Sequence, residues 1–140
     1  MSLPVRRSTD WIGERRARVD GSSHTLFQLL NHMIFWQEGA LEWLDGGSPS
    51  MPEHAADSWP RPEAPSSRTE WVKAVRRFRA GLTRLDRAAK DAGAARKGRS
   101  TSPLEMLAAV AAHNSYHAGQ AVLLRQLLGQ WPPPSGGLTW

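Results

Sequence analysis

An all-α helical bundle is the fold class this sequence predicts, and three observations predict it. Apolar residues recur at three- and four-residue spacing in three long stretches. No stretch alternates apolar and polar residues as a half-buried strand would. A proline-dense connection over residues 48–67 separates the first long stretch from the second. The 140 residues suit one domain, 1–140, with a short N-terminal segment over 1–22 and a tail over 132–140.

The N-terminal segment offers a weak helix. Ser8 or Asp10 can cap a short turn through Trp11, Ile12 and Arg18, but its apolar content is poor. The next helix spans about Ser23 to Asp45, capped by Ser22 or Ser23. Leu26, Leu29, Leu30, Met33, Trp36, Ala40, Trp43 and Leu44 make a wide apolar stripe, with His32 on its edge. Gly46-Gly47 ends it.

The connection that follows holds Pro49, Pro52, Pro60, Pro62 and Pro65, which forbid a continuous helix. Trp59 is placed to tether it to the body of the protein. A helix from about Ser67 to Ala92 then carries one seam, through Trp71, Val75, Phe78, Leu82, Leu85 and Ala89. Its other face is basic.

The final helix starts at Thr101 or Ser102, with Pro103 at the favoured first position and Glu105 completing a capping box. Met106, Val110, His113, His117, Ala121, Leu124 and Leu128 form one apolar face. Leu104, Leu107, Ala111, Ala118 and Val122 form a second, so the helix is expected to be buried on several sides. Pro132-Pro133-Pro134 is expected to stop it after Trp131, and Trp140 can fold back.

Composition removes several kinds of chemistry. There is no cysteine, so disulfides, thiolate zinc sites and a cysteine nucleophile are excluded. Any metal must be held by His, Asp, Glu or water. The arginine-rich start does not read as a secretion signal, and no apolar run approaches ~18 residues, so a cytoplasmic protein without a membrane partner is expected. The net charge of +5 is uneven, because ten of the 18 positive charges lie between Lys73 and Arg99. That block suits a solvated helix face and loop, or contact with a polyanion.

The histidines carry the functional signal. His113 and His117 are four residues apart, hence one turn apart on one helical face. They are either hydrogen-bonded core residues or two ligands of one metal ion. Two buried imidazoles each need a partner for the second nitrogen, and a metal supplies one for both. His32 is a third imidazole on another apolar stripe. Three imidazoles with one open position are the ligand set of a catalytic rather than a closed structural site. His24 lies eight residues before His32, about 12 Å along a straight helix, so packing or capping is its expected role. His54, in the proline connection, is expected to face solvent. Trp36 can wall a pocket or fill the core. Gln120 can hydrogen-bond near the site or face solvent, and Gly119 suits a close helix crossing. Glu38 is about 200° around the helix from His32 and is expected to face away.

The stretch His113-x-x-Tyr116-His117-x-Gly119-Gln120, followed by Leu124-Arg125-x-x-Leu128-Gly129 and Trp131-Pro132, resembles the last helix of the DinB/YfiT-like superfamily. The run His24-Thr-Leu-Phe-Gln-Leu-Leu-Asn-His32, with Trp36 following, resembles that family's second helix. The Trp71 to Leu85 helix and the closing Pro-Pro-Pro-Ser-Gly-Gly-Leu-Thr-Trp tail resemble one branch of it. The resemblance covers about residues 23–140. It implies a four-helix bundle, a homodimer, and a divalent-metal site (zinc, nickel or iron) with His32, His113 and His117 as ligands. Trp36, Tyr116 and Gln120 are the candidate pocket residues around it. Some relatives are metal-dependent S-transferases using low-molecular-weight thiols, and others are isomerases or amidohydrolases. One departure stands out: about 20 residues precede the second-helix pattern, so the first helix is expected to be short or irregular.

Three functions follow as expectations. The first is a metal-dependent thiol transferase acting on a small-molecule substrate, in which the ion itself activates the nucleophile. The second is a non-catalytic metal-binding or stress-response module, its last position filled by Glu53, Asp57 or Glu63. The third and weakest is a nucleic-acid-binding bundle using the Lys73 to Arg99 surface, which lacks any DNA-reading motif.

Overall fold

The computed structural model describes residues 18–92, 100–133 and 136. Among them are three long helices, one 3₁₀ turn and no strand: α1 (Leu26–Leu44), the turn Ala55–Ser58, α2 (Arg68–Lys90) and α3 (Pro103–Leu127). The short helix expected through Trp11 and Ile12 lies outside the described residues. No helix among them is long and apolar enough to cross a membrane.

Helix α1 is the centre of the fold. It packs along both α2 and α3, which barely touch each other. At one end Leu41 and Leu44 of α1 meet Leu85 of α2 and Leu107 and Val110 of α3. Toward the other, Phe27, Leu30 and Ile34 meet Ala74, with Trp71, Val75 and Phe78 packed alongside. Each fully buried Leu, Ile, Val or Phe side chain contributes about 1.5–3 kcal/mol by leaving water.

The cap of α1 is Thr25, not Ser22 or Ser23. Thr25 accepts from the Gln28 N–H, and the Gln28 side chain accepts from the Thr25 N–H. That reciprocal pair satisfies two orphan donors and outcompetes a lone serine. Ser67 caps α2, and the Ser102–Glu105 box with Pro103 starts α3 as the sequence predicts. Helix α3 ends at Leu127, four residues before Trp131, because Gly129 adopts φ +67° and closes a Schellman turn. The prolines arrive after the helix has already stopped.

Two expected faces are corrected. On α2, Ala74, Gly81 and Leu85 are buried, whereas Leu82 and Ala89 are exposed. The α1–α2 approach is close at Gly81, where any Cβ would strike the buried amide of Gln37. A bulky Leu82 therefore sits on the flank of the seam. On α3, Leu107 is buried, but Leu104, Ala111 and Ala118 face outward, and Leu104 is 68% exposed. The helix buries one side, not several. A Cβ at Gly119 would meet nothing within 4 Å, so no helix crosses closely there among the described residues.

The proline connection runs beside the first half of α1. Thr25, Gln28 and His32 lie along one edge of that helix. They bond in turn to the main-chain carbonyls of Glu63, Pro60 and Ser58. All three side chains are buried. The connection thus satisfies the polar edge of α1 and fixes His32.

Candidate metal centre

His32 comes from the middle of α1, and His113 and His117 from successive turns of α3. The helix–helix contact brings all three together, with one ring nitrogen of each within 4.8 Å of the others. His32 and His117 are 5% and 6% exposed, and His113 is half-buried.

The outer ring nitrogens decide the tautomers. His32 Nδ1 faces the Ser58 carbonyl and the Ser58 hydroxyl, each at 3.2 Å. That hydroxyl already donates its proton to the Ala55 carbonyl at 2.6 Å, so it can only accept from His32. Nδ1 therefore carries the proton, and Nε2 is a bare lone pair. His117 Nδ1 donates in the same way to Gln120 Oε1 at 2.7 Å, while the Gln120 amide donates to the Tyr116 hydroxyl at 3.2 Å. His113 Nδ1 and Asn114 Oδ1 are both buried and neither makes a well-formed hydrogen bond. They are a complementary donor and acceptor on adjacent residues.

With the outer nitrogens committed, the inner ones converge. His32 Nε2 and His113 Nε2 stand 3.1 Å apart. Two nitrogens held by one tetrahedral zinc are separated by roughly 3.3 Å, from Zn–N bonds of about 2.0–2.1 Å. Three converging imidazoles, two of them with outer N–H groups held by Ser58 and Gln120, form a donor set that could hold a divalent ion.

A model of the DinB superfamily matches residues 10–121. The chain belongs to the DinB superfamily. No curated protein matches it, and no solved structure does.

In this DinB-superfamily protein, burial disfavours the charged forms of His32 and His113. The His32 pKa is lowered to about 4, chiefly by desolvation, against the opposing pull of the Ser58 carbonyl. That of His113 is also lowered by burial and then by the charge of His117, with the Asn114 amide opposing both. Neutral imidazoles are the form that ligates metal.

Trp59 tethers the connection, as its position predicts. Its ring is sandwiched between His24 and His32, at centroid separations of 3.5 and 3.7 Å and within 9° and 3° of parallel. His24 therefore packs rather than caps. Its pKa is lowered by burial, then by the charges of Arg18 and His117. A cavity of about 520 Å³ opens beside His117 and is polar on one wall, with Ser22, His24, Tyr116 and Gln120 among its lining residues. Trp36 stands against the other side of the cluster, 5.9 Å from His113 and 6.3 Å from His32 between ring centroids.

None of the loop carboxylates joins the histidines. Glu63 pairs with Arg18, Asp57 accepts from the His54 N–H, and Glu53 is exposed. Glu38 faces away and pairs with Arg77, and His54 is exposed as expected. Sequence reasoning missed Ser58 and Asn114. The first acts through its carbonyl and hydroxyl from an irregular loop, a role that leaves no sequence pattern. The second was signalled only by adjacency to His113.

Proposed function

We propose that this chain is a metal-dependent S-transferase joining a low-molecular-weight thiol to a small electrophilic acceptor. His32, His113 and His117 hold one divalent ion: zinc, nickel or iron. The observation that carries the reading is the tautomer set. Ser58 and Gln120 take the Nδ1 protons of His32 and His117, which turns bare Nε2 lone pairs inward at a buried point. Membership of the DinB superfamily supports the same ligand set.

A divalent ion held there lowers the proton affinity of a thiol beside it toward neutral pH. The chain's own residues do the rest. The cavity beside His117 receives the thiol, and Ser22, Tyr116 and Gln120 offer it hydrogen bonds. His24 lines the same cavity, and the thiol proton leaves through it to solvent. The sulfur forms a bond to the acceptor's carbon, and the leaving group departs with the electron pair of the broken bond.

The reading keeps the family's four-helix bundle, of which the described residues supply three helices. It includes a homodimer, supported by the exposed apolar side chains Leu104, Leu123 and Leu127 along α3. A non-catalytic module needs a further protein ligand, and Glu53, Asp57 and Glu63 are all engaged or exposed elsewhere. A nucleic-acid surface is weakened by the pairing of Arg77 with Glu38, Arg84 with Asp45 and Lys90 with Asp86.

Cobalt-substituted protein tests the reading. Added 2-mercaptoethanol shifts its visible spectrum in a saturable way if a thiol reaches the ion. A cobalt-loaded protein whose spectrum ignores the thiol sinks the transferase proposal.

A further inference from the structure

A second cavity, of about 440 Å³, opens between α1 and α3 on the His113 side of the cluster. That volume lies within the roughly 300–1,000 Å³ range of small-molecule sites. Trp36, Trp43, Met51 and Met106 make its walls, and His113 is the one titratable residue lining it among the described residues. Tryptophan offers a flat apolar face and methionine an adaptable one. The cavity beside His117 carries polar groups among its apolar ones; this one has almost none.

Gly39 adds an independent observation. It lies inside α1, where glycine weakens a helix relative to alanine. Nothing in the backbone or the packing requires it. A Cβ at this position would meet only the Pro49 Cβ, at an ordinary 3.9 Å. Gly39 lines the cavity, so a side chain there would take up cavity space. The glycine weakens the helix and keeps the cavity open.

We infer that this cavity binds the hydrocarbon or aromatic part of a small molecule whose polar end reaches His113. Resting on the transferase reading, this assigns the acceptor as an apolar electrophile, entering from a different side than the thiol. Hydrocarbon binding itself needs no metal, so the two readings fail separately.

The test uses metal-free full-length protein labelled with ¹³C at the methionine methyls and titrated with 1-hexanol and 1-octanol. The methyls of Met51 and Met106 shift saturably, and that of Met33 does not. Affinity rises about fourfold per added methylene, hence about fifteenfold between the two alcohols. Gly39→Leu and, on the facing helix, Ala109→Phe each fill the space and abolish the shifts. Gly39→Leu does so without lowering the thermal midpoint. The inference is overturned if wild type shows no saturable shift, or if both variants bind as wild type does. It is equally overturned if binding appears only after residues 134–140 are removed, for then the chain's own tail is the occupant.

Discussion

His32 and His113 approach each other from two different helices, Nε2 to Nε2, at 3.1 Å. His32 has already committed its proton to Ser58 on the far side of the ring. Its inner lone pair therefore needs a proton or a metal ion from the direction of His113. The burial of His32 disfavours the extra positive charge of a proton held on its imidazole. A divalent ion shared with His117 satisfies all three rings at once.

Metal content follows directly. Tag-free protein is expected to carry about one divalent ion per chain, read by elemental analysis, and His117→Ala or His32→Ala to carry little. At a free-ion concentration of 100 times the dissociation constant, binding stabilises the fold by about 2.7 kcal/mol. Chelation should therefore lower the melting temperature of wild type by several degrees and leave His117→Ala unchanged. Equal metal in wild type and variant would falsify the site.

Gln120 is a positioning residue for His117. It holds the Nδ1 proton and so aims Nε2, while Tyr116 holds Gln120. Loss of such a partner weakens metal affinity by roughly 10–100-fold. Gln120→Ala is expected to fall in that range in a competition titration against a chromophoric chelator. Gln120→Glu restores the acceptor and adds charge, so it should bind at least as tightly as wild type. Affinity unchanged by Gln120→Ala would show that the hydrogen bond does not orient the ring.

How much of this was legible in the sequence depends on the residue. The helices, the Ser102 box and the pairing of His113 with His117 follow from spacing, which the backbone geometry makes local. His32 carried a local signal only as a polar residue on an apolar stripe. Its partnership across 81 residues rests on the α1–α3 contact and on resemblance. The seam of α2 was read one residue off at Val75 and Leu82, while Trp71, Phe78 and Leu85 were read correctly. Trp71, Val75, Phe78 and Leu82 fit a heptad as well as Trp71, Ala74, Phe78 and Gly81 do. Only the neighbour decides, and the Gln37 amide opposite Gly81 would have to shift to admit a side chain there. The outer face of α3 was read as buried because apolar periodicity reports surface that wants covering, not what covers it.

Acid should destabilise the metal-free protein. The folded His32 pKa of about 4 lies below the ordinary value of 6.5. Between those values the unfolded chain binds a proton that the folded chain refuses. Stability is therefore whole above about pH 6.5 and falls as the pH drops toward 4. Urea midpoints measured from pH 7.5 to 4 should decline through that window. They should decline less in His32→Gln, which removes the titrating group. Parallel declines in both proteins would assign the effect to other residues.

Gln37 and Gly81 form a close contact between α1 and α2, and their coupling can be measured. Gln37 is 1% exposed, and its amide nitrogen has no hydrogen-bond partner. A Cβ at position 81 would strike that amide. Alanine is the better helix former by about 1 kcal/mol. Gly81→Ala should nonetheless cost about 1–3 kcal/mol, because overpacking of a close contact exceeds the propensity gain. In a Gln37→Ala background the obstruction is gone, and the same substitution should be neutral or stabilising. The double-mutant cycle by urea denaturation then yields a coupling of order 1–3 kcal/mol. Additive effects would mean that the helices shift apart freely and that Gly81 is not what sets their distance.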